Sequence, residues 1–191
     1  DNEAYRQNLI AFLRDIMPAA EVADINMVIH PDDPPFSLFG LPRVLSTAED
    51  VRKLVAAVPS ASNGLTLCAG SFGARGDNNL VAMAEEFGDR IHFVHLRNIK
   101  RESDGSFYES AHLEGDNDIV GLVAALLAVE AADSSGQRAI AMRPDHGHTL
   151  TSEQADPRLK PGYSYGGRMK GLAELRGVIH ALTALGTGGR P

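Results

Sequence analysis

The sequence predicts an α/β fold built on a parallel sheet, with four strand–helix units preceded by a helix. Short runs that are apolar at nearly every position alternate with longer amphipathic segments, a pattern typical of strands covered by helices. In the first amphipathic segment Leu9, Phe12, Leu13 and Ile16 recur at helical spacing. A chain of 191 residues is long enough to bury a sizeable core, so we assign residues 1–191 to one domain.

The predicted elements follow one another regularly along the chain. The second helix opens with STAED, in which Ser46 or Thr47 is the N-cap and acids occupy the first turn. The GTGGRP tail is predicted to fray. In chain order the elements are a helix at about 3–21, a strand at 25–30, the STAED helix, a strand at 64–69, a helix at about 77–87, a strand at 91–96, a long polar loop, a helix over 117–132, a strand over 138–144 and, after another long loop, a helix at about 168–185.

Two architectures contain such repeated units, the open doubly wound sheet and the β/α barrel. A doubly wound sheet often has a Gly-rich phosphate loop after its first strand. Here that turn reads HPDDPPFSLFG, which contains neither G-x-G-x-x-G nor a Walker pattern. The barrel is therefore favoured. Since a complete barrel has eight strands and typically ~250 residues, four strands predict half of one.

The composition indicates which kinds of binding partner and which cellular location to expect. The net charge of −7 and the pI of about 5.4 argue against nucleic acid, because a phosphate-binding surface usually has a basic excess. No apolar run approaches the ~20 residues that span a bilayer. A single cysteine, Cys68, excludes an internal disulfide framework. These features fit a cytoplasmic protein with a small-molecule substrate.

Each predicted strand ends at a group that can bind a metal or move a proton. Ligands bind beyond the carboxyl ends of parallel strands, so these ends are expected to meet at one cleft. Two imidazoles, a thiol and a carboxylate are ligand types typical of a site for a divalent transition metal, such as Mn, Fe(II), Co or Zn. The strand-end groups are His30 with Asp32 and Asp33, Cys68, His95 with Arg97, and Asp145 with His146 and His148.

The alternative for each ligand, taken singly, is structural. A cysteine in an apolar strand is usually a small buried hydrophobe, and His95 could equally be a hydrogen-bonded core histidine. The equivalent position of His30, Cys68, His95 and Asp145 in their units favours a shared metal site over coincidence.

The same residues stand in motifs that resemble the mannonate dehydratase family, which is similar in fold to the xylose-isomerase-like TIM barrels. The motifs occur in the family's order and cover nearly the whole chain. They read IHPDDPPFSLFGLPRVLST, LTLCAGSFGARGDNNL, IHFVHLRN, AHLEGD, MRPDHGH and PGYSYGGRMKGLAELRG.

The resemblance implies the C-terminal half of a (β/α)8 TIM barrel and a hydro-lyase activity. Family members dehydrate D-mannonate to 2-keto-3-deoxy-D-gluconate in hexuronate (glucuronate) catabolism, with Mn²⁺ or Fe²⁺ as cofactor. Carried over by motif, the family's metal ligands fall on His30, Cys68, His95 and Asp145. These are the four residues that the strand ends select.

The family's acid–base pair falls on His146 and Tyr163. An imidazole can serve in either role near neutral pH, whereas a tyrosine phenol acts as a base when a metal or an arginine lowers its pKa. We take Tyr163 as the base and His146 as the acid, with the reverse assignment open. The candidates for binding the carboxylate and hydroxyls of the substrate, each with solvated loop charge as the alternative, are Arg97, His112, Arg143 and His148.

The resemblance begins near the middle of a family member, so the N-terminal half of the barrel is predicted to be missing from this chain. The expected partner is then a second copy of the chain or a separate half-barrel. One alternative function is a metal-dependent sugar isomerase of the same barrel type, which a thiolate ligand disfavours. The other is an inactive truncated half-barrel with sticky edge strands.

Overall fold

The computed structural model describes residues 1–186, so residues 187–191, most of the tail predicted to fray, lie outside the described part. Within 1–186, no helix is both long enough and apolar enough to cross a membrane. The helices are α1 (Asn2–Val22), α2 (Ala48–Ala57), α3 (Ala69–Gly73), α4 (Leu80–Glu86), α5 (Ile119–Ala131) and α6 (Tyr165–Ala184), and short 3₁₀ turns lie at Gly88–Arg90 and Thr151–Glu153. The strands are β1 (Met27–Ile29), β2 (Asn63–Cys68), β3 (Ile91–His95), β4 (Ile99–Arg101), β5 (Phe107–Glu109) and β6 (Ala141–Arg143).

The main sheet is parallel and has the order β1-β2-β3-β6, which confirms the predicted set of four strand–helix units. The strands lie side by side in chain order. A doubly wound sheet reverses its strand order at a switch point, and these four strands show no reversal. The topology therefore favours the barrel type of sheet over the doubly wound one.

The core lies between this sheet and the helices, where Leu67 of β2, Val94 of β3 and Leu122 of α5 are fully buried. Burying a side chain of this size stabilises the fold by about 1.5–3 kcal/mol. Because consecutive strand residues point to opposite faces, Cys68 and His95 face away from this core. The alternation thus reserves the other face of the sheet for polar groups.

The two outer strands are less covered than the apolar sequence suggests. β1 is half-buried along its length, and β6 is exposed at Ala141 and Arg143. Within residues 1–186 each of these strands pairs along one edge only. The strands predicted at 25–30 and 138–144 are also shorter in the structure, which places His30 directly after β1.

Side-chain caps fix where the helices begin. Thr47, rather than Ser46, is the N-cap of α2: its hydroxyl accepts from the Asp50 amide at 3.2 Å, and the Asp50 carboxylate accepts from the Thr47 amide at 3.1 Å. Such a capping box satisfies two otherwise free amides. The helix predicted from residue 77 starts at Leu80 because the Asn79 side chain caps it.

The segment between β3 and α5, predicted as a polar loop, contains an antiparallel hairpin, so that prediction was wrong. In the hairpin Ile99 of β4 pairs with Glu109 of β5. Its turn contains Asp104 and Gly105, the latter at φ +89°, and Asp-Gly is a known hairpin turn signal. Three-residue strands are too short to show a clear alternation of apolar and polar residues.

Asn98 attaches this hairpin to the sheet. Its buried amide donates to the carbonyl oxygens of His112 (2.9 Å) and Asn117 (3.2 Å). Its side-chain oxygen accepts from the amides of Ile99 (2.9 Å) and Asn117 (3.1 Å). One side chain therefore joins the end of β3, the start of β4 and the loop before α5.

We expect Asn98→Ala to lower the free energy of unfolding by at least about 2 kcal/mol, since each buried polar group left without a partner costs about 1–3 kcal/mol. Urea denaturation followed by circular dichroism measures the change. Lys100→Ala, at an exposed site in the same hairpin, is the control and should change stability by less than about 0.5 kcal/mol. Equal stability of the two variants would contradict this role of Asn98.

Candidate metal and proton-transfer site

The register of the sheet brings the predicted strand-end residues together. Cys68 pairs with His95, and His95 pairs with Arg143. His30, directly after β1, joins them from the neighbouring strand. One ligand atom from each of His30, Cys68 and His95 lies within 4.8 Å of the others. This group is suited to hold a metal ion.

The polar groups at this position fit a divalent cation. The Nδ1 atom of His95 is buried and has no hydrogen-bond partner within residues 1–186. Oδ2 of Asp145 lies 3.4 Å from this nitrogen. A buried polar atom without a partner is costly. The Ser71 hydroxyl donates to the Cys68 sulfur at 3.2 Å, which would stabilise the thiolate that a metal binds.

Asp145 adds negative charge beside this group. Burial by itself raises the pKa of Asp145, but His95, His146 and Arg143 outweigh it and hold that pKa well below its ordinary value. Burial likewise lowers the pKa of His95, and Asp145 and Cys68 more than compensate, so the pKa of His95 is raised. Asp145 therefore stays ionised, as a metal ligand must. Its backbone is left-handed at φ +64°, a conformation that Asp tolerates better than most residues.

His146 and Tyr163 lie against each other at the end of β6. Their ring centroids are 4.8 Å apart, and Nε2 of His146 lies 3.9 Å from Oδ2 of Asp145. The loop that carries Tyr163 is attached to the strand end by the Gly147 amide, which donates to the Gly162 carbonyl at 2.9 Å. Both candidate proton-transfer groups therefore sit next to the candidate ligand Asp145.

A cleft of about 390 Å³ opens beside these residues and is lined in part by Arg143, Asp145, Tyr163 and Arg168. Arg143 is 52% exposed and donates to Asp145 at 2.6 Å. Its guanidinium also lies 5.7 Å from the ring centroid of Phe93. Of the four predicted substrate-binding residues, Arg143 is the one that the structure places on this cleft.

The other three residues predicted to bind substrate have protein partners instead. His112 is 3% exposed, and its Nε2 lies 2.9 Å from the Pro144 carbonyl oxygen. Nε2 of His148 lies 2.6 Å from the carbonyl oxygen of Glu109. Arg97 is 5% exposed and bonds to carboxylates. Burial favours structural or positioning roles for Arg97 and His112, whereas His148 is exposed.

Arg97 connects two acidic side chains behind the site. Its guanidinium donates to Glu109 at 2.6 and 2.9 Å and to Asp33 at 2.7 Å. Burial lowers the pKa of Arg97, but the two carboxylates more than compensate and raise it. The side chain passes directly over Gly70, where an added Cβ would lie 2.3 Å from Arg97 Cδ. A glycine at this position leaves room for the guanidinium.

Glu109 is a site residue that the sequence did not reveal. Its Oε1 lies 2.7 Å from Nδ1 of His146 and also accepts from Arg97. It escaped detection because it stands in the hairpin that was predicted as a loop. The Asp104–Gly105 turn was the signal that could have placed it on a strand. Asp32, by contrast, accepts hydrogen bonds from the amides of Val44 and Leu45, as a turn residue does.

Comparisons with known proteins point to a single enzyme family. The family model for D-mannonate dehydratase (UxuA) matches residues 1–187. Mannonate dehydratase of Saccharophagus degradans is 69% identical over 186 residues, which are 96% of this chain and 47% of that protein. Mannonate dehydratase 2 of Agrobacterium fabrum is 54% identical over 184 residues, 95% of this chain and 46% of that protein.

A solved structure is also similar. The crystal structure of mannonate dehydratase from Streptococcus suis serotype 2 matches with a TM-score of 0.86 and 34% identity, over 100% of this chain and 52% of that one. The chain thus spans about half the length of the relatives it matches. A parallel four-stranded sheet that matches half of such an enzyme agrees with the predicted half-barrel.

Proposed function

The chain belongs to the mannonate dehydratase family, and we propose that it carries out the metal-dependent dehydration of D-mannonate to 2-keto-3-deoxy-D-gluconate and water. The observation that carries this proposal is the convergence of His30, Cys68 and His95 within 4.8 Å. The His146–Tyr163 pair beside them supplies groups able to transfer protons. Open-chain sugar acids and their dehydration products are thus the expected ligands.

The residues proposed to hold the metal are His30, Cys68, His95 and Asp145. Their imidazole, thiolate and carboxylate donors suit Fe²⁺ and Mn²⁺. A bound divalent ion would act as a Lewis acid toward the carboxylate of the substrate and an adjacent hydroxyl. The orphaned Nδ1 of His95 supports this proposal.

The side chains at the cleft have two protons to move. A base must take the proton from C2 of mannonate, which is weakly acidic because the adjacent carboxylate is already negative. An acid must protonate the C3 hydroxyl so that it leaves as water. The resulting C2–C3 enol then becomes the 2-keto group by gaining a proton at C3 and losing the proton of its C2 hydroxyl. Each positioned group contributes ~10²–10⁴-fold to the rate.

We assign the base to Tyr163 and the acid to His146, and the reverse assignment is the alternative. Contact between the two rings allows both to reach neighbouring carbons of one substrate. The exposed guanidinium of Arg143 at the cleft is proposed to bind the substrate carboxylate. Its partner Asp145 lines the same cleft and holds this guanidinium there.

The function is tested by incubating the chain with Mn²⁺ or Fe²⁺ and D-mannonate and measuring 2-keto acid. Formation of 2-keto acid supports dehydration. Ketose formation from aldoses in a parallel assay would instead identify an isomerase of the same barrel type. A chain that binds the metal but converts neither substrate would contradict the proposal.

For the metal site, we expect Cys68→Ser to lower Mn²⁺ or Fe²⁺ content at least about tenfold, because a neutral hydroxyl replaces a thiolate ligand. Metal analysis after gel filtration measures this, with circular dichroism to verify the fold. His92→Gln is the control: His92 lies on β3 outside the ligand group, and this variant should keep its metal. Unchanged metal content in Cys68→Ser would exclude Cys68 as a ligand.

For proton transfer, we expect His146→Gln to keep the metal and lose about 10²-fold or more in kcat, since it removes a positioned acid. Initial rates of 2-keto acid formation measure the loss. His180→Gln, an exposed position in α6, is the matched control and should turn over normally. Normal turnover by His146→Gln would refute the assignment.

A further inference from the structure

We propose that Glu109 is a positioning residue that fixes the tautomer and orientation of His146, an inference that deepens the proposed function of this site. The evidence is a chain of short contacts from Asp33 through Arg97 and Glu109 to the imidazole. Oε1 of Glu109 lies 2.7 Å from Nδ1 of His146. Nothing in the sequence motifs pointed to Glu109.

The contact assigns the imidazole proton to one nitrogen. An ionised carboxylate only accepts hydrogen bonds, so the hydrogen in a 2.7 Å contact must be carried by Nδ1 of His146. Burial raises the pKa of Glu109, but hydrogen bonds from His146 and Arg97 more than offset this and keep it below its ordinary value. Glu109 is therefore ionised. In the neutral ring Nε2 can accept a proton, and in the imidazolium form, with Nδ1 still bonded to Glu109, Nε2 is the nitrogen that can donate one to substrate.

The position of the carboxylate is itself fixed from behind. Arg97 donates from Nε and Nη2 to Glu109, and its Nη1 is held by Asp33 at 2.7 Å. A planar guanidinium with two carboxylate partners leaves Glu109 little freedom to rotate. Arg97 thus holds the Glu109 carboxylate in the position in which it contacts His146.

The main chain of the same residue holds the second histidine of the motif. The carbonyl oxygen of Glu109 lies 2.6 Å from Nε2 of His148, which must therefore donate. One hairpin residue contacts His146 through its side chain and His148 through its backbone. Because β5 ends at Glu109, the hairpin acts as a support for the end of β6.

The geometry makes Nε2 of His146 the reactive atom. It lies 3.9 Å from Oδ2 of Asp145, while its ring lies against Tyr163. If the imidazole rotated by half a turn, the hydrogen bond from Nδ1 to Glu109 would be lost. The carboxylate thus selects one orientation of the ring, in which Nε2 lies on the side of Asp145.

The first test measures the tautomer directly, by long-range ¹H–¹⁵N NMR of the metal-free chain in alkaline solution, where histidines are generally neutral. The chain has seven histidines, and the signals of His146 are assigned by their loss in His146→Gln. We expect the wild type to carry its hydrogen on Nδ1. Glu109→Ala should give a mixture of tautomers, and Glu109→Gln, whose amide oxygen can still accept, should retain the Nδ1 form.

The second test is kinetic. Glu109→Ala is expected to lower kcat roughly 10²-fold, part of the ~10²–10⁴ that a positioned acid or base contributes, while KM for D-mannonate changes less than about threefold. Glu109→Gln keeps the hydrogen bond, so its kcat should be at least about tenfold higher than that of Glu109→Ala. Tyr108→Phe, at the adjacent exposed position of β5, is the control and should behave as wild type.

A hydrogen on Nε2 in the wild type, or an unchanged tautomer in a folded Glu109→Ala variant, would overturn the proposal. If Glu109→Ala fails to fold, the Glu109→Gln variant is the test. A folded Glu109→Gln variant that loses the Nδ1 form would show that the side-chain oxygen at residue 109 does not fix the tautomer, and would overturn the proposal. The NMR result does not depend on turnover. Absence of dehydration by the wild type would therefore reject the proposed function, while the tautomer would still decide the role of Glu109.

Discussion

The site depends on the register of three parallel strands. Cys68 stands opposite His95, and His95 stands opposite Arg143, so their side chains emerge on the same face at the same height. A slip of one residue in any of the three would turn one of these groups into the helix-covered core. The fully buried leucines and valines on the opposite face prevent such a slip. Hydrophobic packing on one face of the sheet therefore fixes the positions of the polar site residues on the other face.

Charges form a second layer around this arrangement. Arg97 lies between Asp33 and Glu109, and Arg143 lies against Asp145. Removing one partner from a buried pair leaves an uncompensated charge, which costs more than the pair contributes. The pair between Arg97 and Asp33 thus makes the loops after β1 and β3 interdependent, although neither loop has regular structure along its whole length.

The sequence predicted the parts of the site that follow strand periodicity. His30, Cys68, His95 and Asp145 each follow or end a strand in the structure, and a parallel sheet brings such positions together. Glu109 lies on a three-residue strand, too short for a periodic pattern, and its partners Arg97 and His146 are distant in the chain. Contacts between side chains of distant segments depend on packing that no local pattern encodes. For the same reason Arg97 and His112 were expected at the substrate, whereas the structure buries both.

Gly70 shows how far such constraints reach. The side chain of residue 97 occupies the space in which a Cβ at residue 70 would stand. A change at residue 70 is therefore compatible with a long arginine only if that arginine moves, which would disturb its bonds to Glu109 and Asp33. Positions 70, 97, 109 and 33 are thus expected to evolve as one unit. In an engineered library, an alanine at 70 should survive mainly in combination with a shorter residue at 97 and the loss of an acid.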